Sequence, residues 1–284
     1  MFLTDHSRTL WFDHSRTEHG RTTRPVGVTF FAEIGNMGEY SNKTAVITGG
    51  STGIGLATAQ RFIAGGGRVI VTGRNGDALA AAQRALGASA ITLRSDTARL
   101  EDIDALAARV RAEFGEVDFV FVNAGVAVFA PLDAVTADFY DHLFSVNARG
   151  AFFTVQRLAP LVKRGGSFVL NTSIVDEMGM GTTSVYAATK AALRSYARTL
   201  ATELLPAGVR VNAVSPGPIE TPIYGKLGLN DAQRAGFEAQ MREQNPMRRF
   251  GASDEVAAAA LFLAFGATYT TGAELPVDGG LSQL

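Results

Sequence analysis

At 284 residues, 46% of them hydrophobic and 19% charged, the chain can bury a sizeable core, which excludes global disorder. Its formal net charge of -1 and its lack of a basic tract give no electrostatic reason to expect nucleic acid or an anionic membrane surface as partner. The absence of cysteine rules out disulfides, thiolate nucleophiles and cysteine-ligated zinc, and it fits a reducing compartment. No apolar run approaches the ~18 residues of a membrane span, and the polar N-terminus lacks the apolar stretch of a signal peptide, so a cytoplasmic location is expected.

The N-terminal residues 1–36 stand apart. Asp-His-Ser-Arg-Thr occurs at 5–9 and again at 13–17, an echo too short to be a structural repeat, and the segment shows no sustained period. It is expected to be a flexible extension ahead of a single domain over 37–284. Metal binding by its histidines, His6, His14 and His19, is the alternative. The only other histidine, His142, lies on an amphipathic helical pattern, which favours a packed side chain over Ser-His-Asp chemistry; no metal site is expected.

From Lys43 onward, short β-rich runs alternate with longer helical ones. Strands are expected at 44–48, 68–72, 90–93, 118–122, 167–171, 209–214 and 274–277. Helices are expected at about 54–65, 76–86, 99–114, 136–163, 185–205 and 253–265. This alternation, with strands apolar on both faces, predicts an α/β fold with a doubly wound, Rossmann-type parallel sheet and helices on both sides. The stretch from Ile219 to Pro246 breaks the rhythm. It is long, polar and late in the chain, and reads either as a lid over a ligand or as a surface insertion.

The first strand runs into Thr48-Gly49-Gly50-Ser51-Thr52-Gly53-Ile54-Gly55, and a helix follows. Glycines at 49, 53 and 55 let the backbone turn tightly, while the helix N-terminus aims unpaired N–H groups at an anion, the arrangement that holds a dinucleotide pyrophosphate. The second strand ends at Thr72 before Gly73 and Arg74. An acidic residue here would bond a ribose 2′-hydroxyl; the guanidinium fork instead suits a 2′-phosphate, which favours NADP(H) while NAD(H) stays open.

Tyr186 and Lys190 are four apart on an expected helix and so share one face. A free phenol, with a pKa near ~10, is a poor proton shuttle at neutral pH; a neighbouring ammonium stabilises the phenolate, at about 1.4 kcal/mol of interaction per unit of lowering. Ser173 ends the fifth strand, in Asn171-Thr172-Ser173, where its hydroxyl can donate to an oxygen on which negative charge builds.

Taken in order, the glycine run at 48–55, Asn123-Ala124-Gly125, Asn147, Ser173, Tyr186-Ala187-Ala188-Thr189-Lys190, Pro216-Gly217-Pro218-Ile219-Glu220-Thr221 and the closing Val277-Asp278-Gly279-Gly280 resemble the short-chain dehydrogenase/reductase family, in its branch of roughly 250-residue enzymes. The resemblance spans about Lys43 to Gly280. It implies hydride transfer between NAD(P)(H) and a carbonyl or alcohol, with Asn147, Ser173, Tyr186 and Lys190 as the catalytic set. In the family pattern Lys190 also holds the nicotinamide ribose and relays protons, and Asn147 anchors the relay water. The glycine turn, through Gly49, Ser51, Thr52, Gly53, Ile54 and Gly55, together with Arg74, Asp96, Thr97, Asn123, Ala124 and Gly125, is implied to hold the cofactor. Pro216, Gly217, Ile219 and Thr221 are implied to frame the nicotinamide.

Val126, Phe129, Ile174, Met178, Met180, Ile219 and Tyr224 are expected to line an apolar slot for a medium-sized ketone or alcohol. Asp176 and Glu177 could instead bind hydroxyls or a cation, which keeps a polyol open, unless both face water. A cofactor-sensing regulator without turnover is the contrasting function, but it needs no proton relay. An epimerase or dehydratase on this fold would have a larger C-terminal domain, and an enoyl reductase would set Tyr and Lys farther apart. Apolar residues around the helices at 136–163 and 185–205, among them Phe139, Leu143, Phe152, Phe153, Leu193 and Tyr196, lead to an expected homotetramer, the assembly common in the family.

Overall fold

A computed structural model describes residues 38–221 and 230–284. The proposed extension at 1–36 and the expected slot residue Tyr224 lie outside the described residues. Seven strands form one parallel sheet: β1 (Thr44–Ile47), β2 (Arg68–Gly73), β3 (Ala90–Arg94), β4 (Val117–Val122), β5 (Val162–Asn171), β6 (Arg210–Pro216) and, last in the chain, β9 (Glu274–Val277). Their spatial order is β3-β2-β1-β4-β5-β6-β9. The pattern follows from composition: every residue of β4, Val-Asp-Phe-Val-Phe-Val, is buried, as a strand covered by helices on both faces requires. β7 (Ile219–Glu220) and β8 (Gly251–Ala252) pair separately as a short parallel ladder.

Two apolar layers sandwich the sheet. On one face α1 (Gly53–Ala64), α2 (Gly76–Leu86) and α8 (Ser253–Leu261) pack through Phe62, Ala82, Leu86, Val256 and Leu261 against Phe119 and Phe121 of β4. On the other, α3 (Leu100–Phe114), α5 (Gly150–Leu158) and α6 (Ser184–Leu204) pack through Leu106, Val110, Val155, Leu158, Leu193 and Leu200 against Val120, Phe168 and Leu170. Among the described residues no helix is long and apolar enough to cross a membrane.

Three departures from the expected elements matter for the site. The helix read over 136–163 is α4 (Ala137–Leu143), a π turn (Phe144–Arg149) and α5, which stops at Leu158. Pro160 follows in a 3-10 turn, where it has no N–H to give, and β5 then begins at Val162, not 167. Val117 pairs with Val162 and Phe119 already with Ser167, so the intervening residues bulge, with Gly165 at φ 86°. The third departure is α7 (Asp231–Gln244), a helix inside the stretch that reads as an irregular lid or insertion.

Candidate active site

The strand order reverses between β1 and β4, and there the carboxyl ends of the strands open into a cleft of about 720 Å³. One end of it is built largely from main chain. Gly49 and Gly53 take φ of 64° and 54°, left-handed values that a side chain disfavours, and a Cβ on Gly49 would stand 2.9 Å from the Ala124 Cα. The Asn123 amide pins this turn, donating to the Thr48 and Gly49 carbonyls at 2.9 and 3.2 Å, while its oxygen accepts from Asn171 Nδ2 at 2.9 Å. Thr48 Oγ1 accepts from the N–H groups of Asn123 and Ala124, both at 3.0 Å. Thr52, at the N-cap of α1, makes no side-chain cap and the first turn holds no acidic residue, so its N–H groups remain available to an anion.

Arg74 lines the cleft beyond β2, with Nη1 3.8 Å from the Asp96 carboxylate. Asp96 itself does not line the cleft; its Oδ1 accepts from the Ala98 N–H at 3.0 Å, a turn-forming bond. Thr97 lines the cleft and so does Ser95, whose buried hydroxyl has no hydrogen-bond partner. A buried orphan hydroxyl, a Cβ-free turn and an uncapped helix end are what a bound dinucleotide would satisfy, and the residues fit one. Gly55 stands behind the turn, where a Cβ would lie 2.5 Å from the Gly49 carbonyl oxygen and 2.7 Å from Asn123 Nδ2, so it permits close packing of α1 on the turn.

The other end is built from side chains. Ser173, Tyr186 and Lys190 line the cleft together. Lys190 is buried; its Nζ donates to the Asn171 carbonyl at 2.7 Å and stands 5.7 Å from the centre of the Tyr186 ring. Burial pushes its ammonium down to about 8, against the opposing pull of the Asp176 carboxylate. Phe129 meets the Tyr186 ring edge-on, 5.6 Å between centres. Asn147, in the π turn, lies behind this wall rather than in it. Its Oδ1 accepts from Val126 N–H at 2.8 Å, and its Nδ2 donates to the Val126 carbonyl at 2.9 Å and to Thr189 Oγ1 at 3.1 Å.

Ser51, Thr52, Gly53, Ile54, Gly125, Pro216, Gly217, Ile219 and Thr221 all line the cleft, as do Val126, Phe129, Ile174 and Met180 of the expected slot; Met178 does not. Asp176 does not line it either, its carboxyl oxygens being sealed from solvent, and Glu177 is exposed and also absent from the lining. Among the described residues no group of three or more His, Asp or Glu could hold a metal ion.

A family model described as Enoyl-(Acyl carrier protein) reductase matches residues 49–282. Relatives include Oxidoreductase asL5 of Sarocladium schorii, 41% identical over 247 residues that cover 86% of this chain and 97% of that protein. The L-rhamnose 1-dehydrogenase (NAD(P)(+)) of Azotobacter vinelandii is 37% identical over 84% of this chain and 96% of that one. The crystal structure of levodione reductase matches with a TM-score of 0.81 at 30% identity, covering 86% of this chain and 98% of the other. The chain belongs to the short-chain dehydrogenase/reductase family. As a short-chain dehydrogenase/reductase it is an oxidoreductase of a family whose members use NAD(P).

Several residues of this short-chain dehydrogenase/reductase cleft escape a reading by motif. Phe237 and Met241 reach it from α7. Their spacing of four in an otherwise polar segment is a faint helical signal, which the polarity conceals. Thr48, Asn171 and Thr189 fall within the quoted motifs, but their part as buttresses, with partners on other elements, has no local sign.

Proposed function

We propose that this short-chain dehydrogenase/reductase transfers a hydride between NADP(H) and a ketone or alcohol, with Tyr186 as general acid and base. The observation that carries the reading is the convergence of Ser173, Tyr186 and the buried Lys190 on one cleft whose opposite end fits a dinucleotide. When bound, the nicotinamide supplies the hydride in reduction and accepts it in oxidation. In reduction the Tyr186 hydroxyl gives its proton to the carbonyl oxygen, while the Ser173 hydroxyl donates to that oxygen as charge develops. The Lys190 ammonium stabilises the phenolate left behind, and the same steps reversed oxidise an alcohol. Asn147 holds the Val126 main chain and Thr189, and by similarity to the family it is assigned the anchoring of a proton-relay water.

NADP(H) is favoured over NAD(H) because Arg74 borders the cleft after β2; the Asp96 carboxylate at 3.8 Å competes for it and limits the preference. Val126, Phe129, Ile174, Met180, Phe237 and Met241 favour an apolar, medium-sized ketone, and levodione reductase is a structural relative. The sealed carboxyl of Asp176 counts against a polyol. Although the matching family model is described as an enoyl reductase, the four-residue spacing of Tyr186 and Lys190 favours carbonyl chemistry.

We also propose a catalytic domain over 37–284, a cytoplasmic location and a homotetramer. Leu143 and Leu193 are committed to the core, but Tyr140 is exposed and Phe139, Phe152, Phe153 and Tyr196 are only half-buried, which leaves apolar surface for a symmetry mate. Light scattering coupled to size exclusion should give a multiple of the 30.0 kDa chain mass; a monomer defeats the assembly. For the reaction, the test is a cofactor-oxidation screen over ketones, sugars and steroids with NADPH and NADH. NADPH-dependent reduction of an apolar ketone is expected. Cofactor binding with no turnover on any substrate would favour a sensor instead.

A further inference from the structure

Beside the proposed catalytic set lies a charge it does not use. Asp176 sits in the 3-10 turn Ile174–Asp176 just beyond Ser173, and its N–H donates to the Ser173 carbonyl at 3.0 Å. Both carboxyl oxygens are sealed from solvent, and no N–H or O–H group among the described residues donates to either. The side chain that meets them is another carboxyl, Glu274 of β9. Two carboxyl groups hydrogen-bond only when one carries a proton, since ionised carboxylates are acceptors alone. Glu274 already has partners: Thr172 Oγ1 donates to Oε1 at 2.5 Å, and Arg194 Nε of α6 stands 3.1 Å from Oε2.

The charged groups facing Asp176 are therefore Glu274 from β9, with Arg194 behind it, Lys190 from α6 and Glu177 of its own turn. Burial, then the negative charge and hydrogen bond of Glu274, then Glu177, push the Asp176 carboxyl up to about 7; Lys190 pulls the other way. On Lys190 the balance is reciprocal, because burial disfavours its ammonium and the Asp176 charge opposes that loss.

We propose that Asp176 is a positioning residue: it shares one proton with Glu274, and on giving that proton up it becomes the counter-charge that keeps the buried Lys190 ammonium protonated. This rests on the reading of Lys190 as part of the proton machinery. The sign is fixed by the two groups. At low pH Asp176 is neutral and Lys190 needs no help. As pH rises through about 7 the carboxylate appears, and its charge is part of what holds the Lys190 proton up to about 8; without it the cation beside Tyr186 would be lost at lower pH.

Asp176→Asn tests this without an obvious cost to the fold, because the amide N–H₂ can donate to Glu274 where the shared proton did. Infrared difference spectra across about pH 6 to 8, bracketing the Asp176 titration, should show a protonated-carboxyl band lost in the unmodified chain and missing in Asp176→Asn. Identical spectra overturn the shared proton. Glu274→Gln approaches the pair from the other side: with its neighbour's charge gone, the band should titrate at least about one unit lower, and an unmoved midpoint overturns the pairing. These measurements need no turnover, so they separate this proposal from the reading of the chain as a ketone reductase. With a working substrate, the alkaline limb of kcat/KM should move about one unit to lower pH in Asp176→Asn. A loss of rate that is equal at every pH, with the limb unmoved, overturns the link to Lys190.

Discussion

At the glycine end of the cleft the wall is main chain, Gly49 and Gly53 at positive φ and the open first turn of α1, held by the Asn123 amide; at the other end it is side chains, Phe129, Met180, Tyr186, Phe237 and Met241, delivered by separate segments. The first kind of wall has little freedom. Each of its atoms is fixed by the strand–turn–helix geometry, and adding one carbon at Gly49 brings it within 2.9 Å of the Ala124 Cα. The second kind can be rewritten one side chain at a time with the sheet left intact. One end of the molecule is thereby committed to a cofactor shape, while the other is free to select among substrates.

If the two ends are separable, changes at one should leave the other's behaviour untouched. Tyr186→Phe should have the largest effect, a loss of at least ~100-fold in turnover, the low end for general acid catalysis. Cofactor affinity, measured by fluorescence titration, should persist; a parallel loss of binding would join the two ends. Arg74→Ala acts only at the other end and should remove roughly 1.5–3 kcal/mol of preference for NADPH over NADH, with Asp96 pulling the result toward the low value. An unmodified protein that favours NADH in kcat/KM would end that assignment. Smaller still, Phe237→Ala should raise KM for an apolar ketone by about tenfold, the lower range of a hydrophobic pocket contact, with cofactor affinity unchanged. The smallest effect expected is from deleting residues 1–36: a melting shift below about 5 °C, with turnover retained.

The legible parts of the fold were those whose cause is local. β1, β2 and β4 are runs of β-branched and aromatic residues, and the glycine turn follows the first of them within the same short stretch. Tyr186 and Lys190 are marked by helical spacing together with the ordered motifs around them. What was not legible depends on partners far along the chain. α7 carries few apolar residues, and the role of Phe237 and Met241 becomes visible only against the cleft they line. Asp176 reads locally as a carboxylate facing substrate or water, because nothing near it announces that Glu274 of β9 will meet it indoors. The early start of β5 depended on a bulge against β4 that tolerates Gly165 and its neighbours.

The π turn between α4 and α5 inserts a phase slip into what would otherwise be one helix. An α-helix advances about 100° per residue, and one π turn sets the following residues back by about that much. Without the slip, Ala151, Val155 and Leu158 would point about 60–120° away from Leu143; with it, all three return to within about 40° of that residue's direction. All four are buried. The core-facing stripe is thus continuous in space although it changes step in the sequence, and no single helical template joins its two halves. The widened turn where the step changes is also where Asn147 sits, accepting from the Val126 N–H and donating to the Val126 carbonyl. One surplus residue therefore lets a single helical rod keep faith with the core at both ends and still turn an amide toward the cleft wall in between.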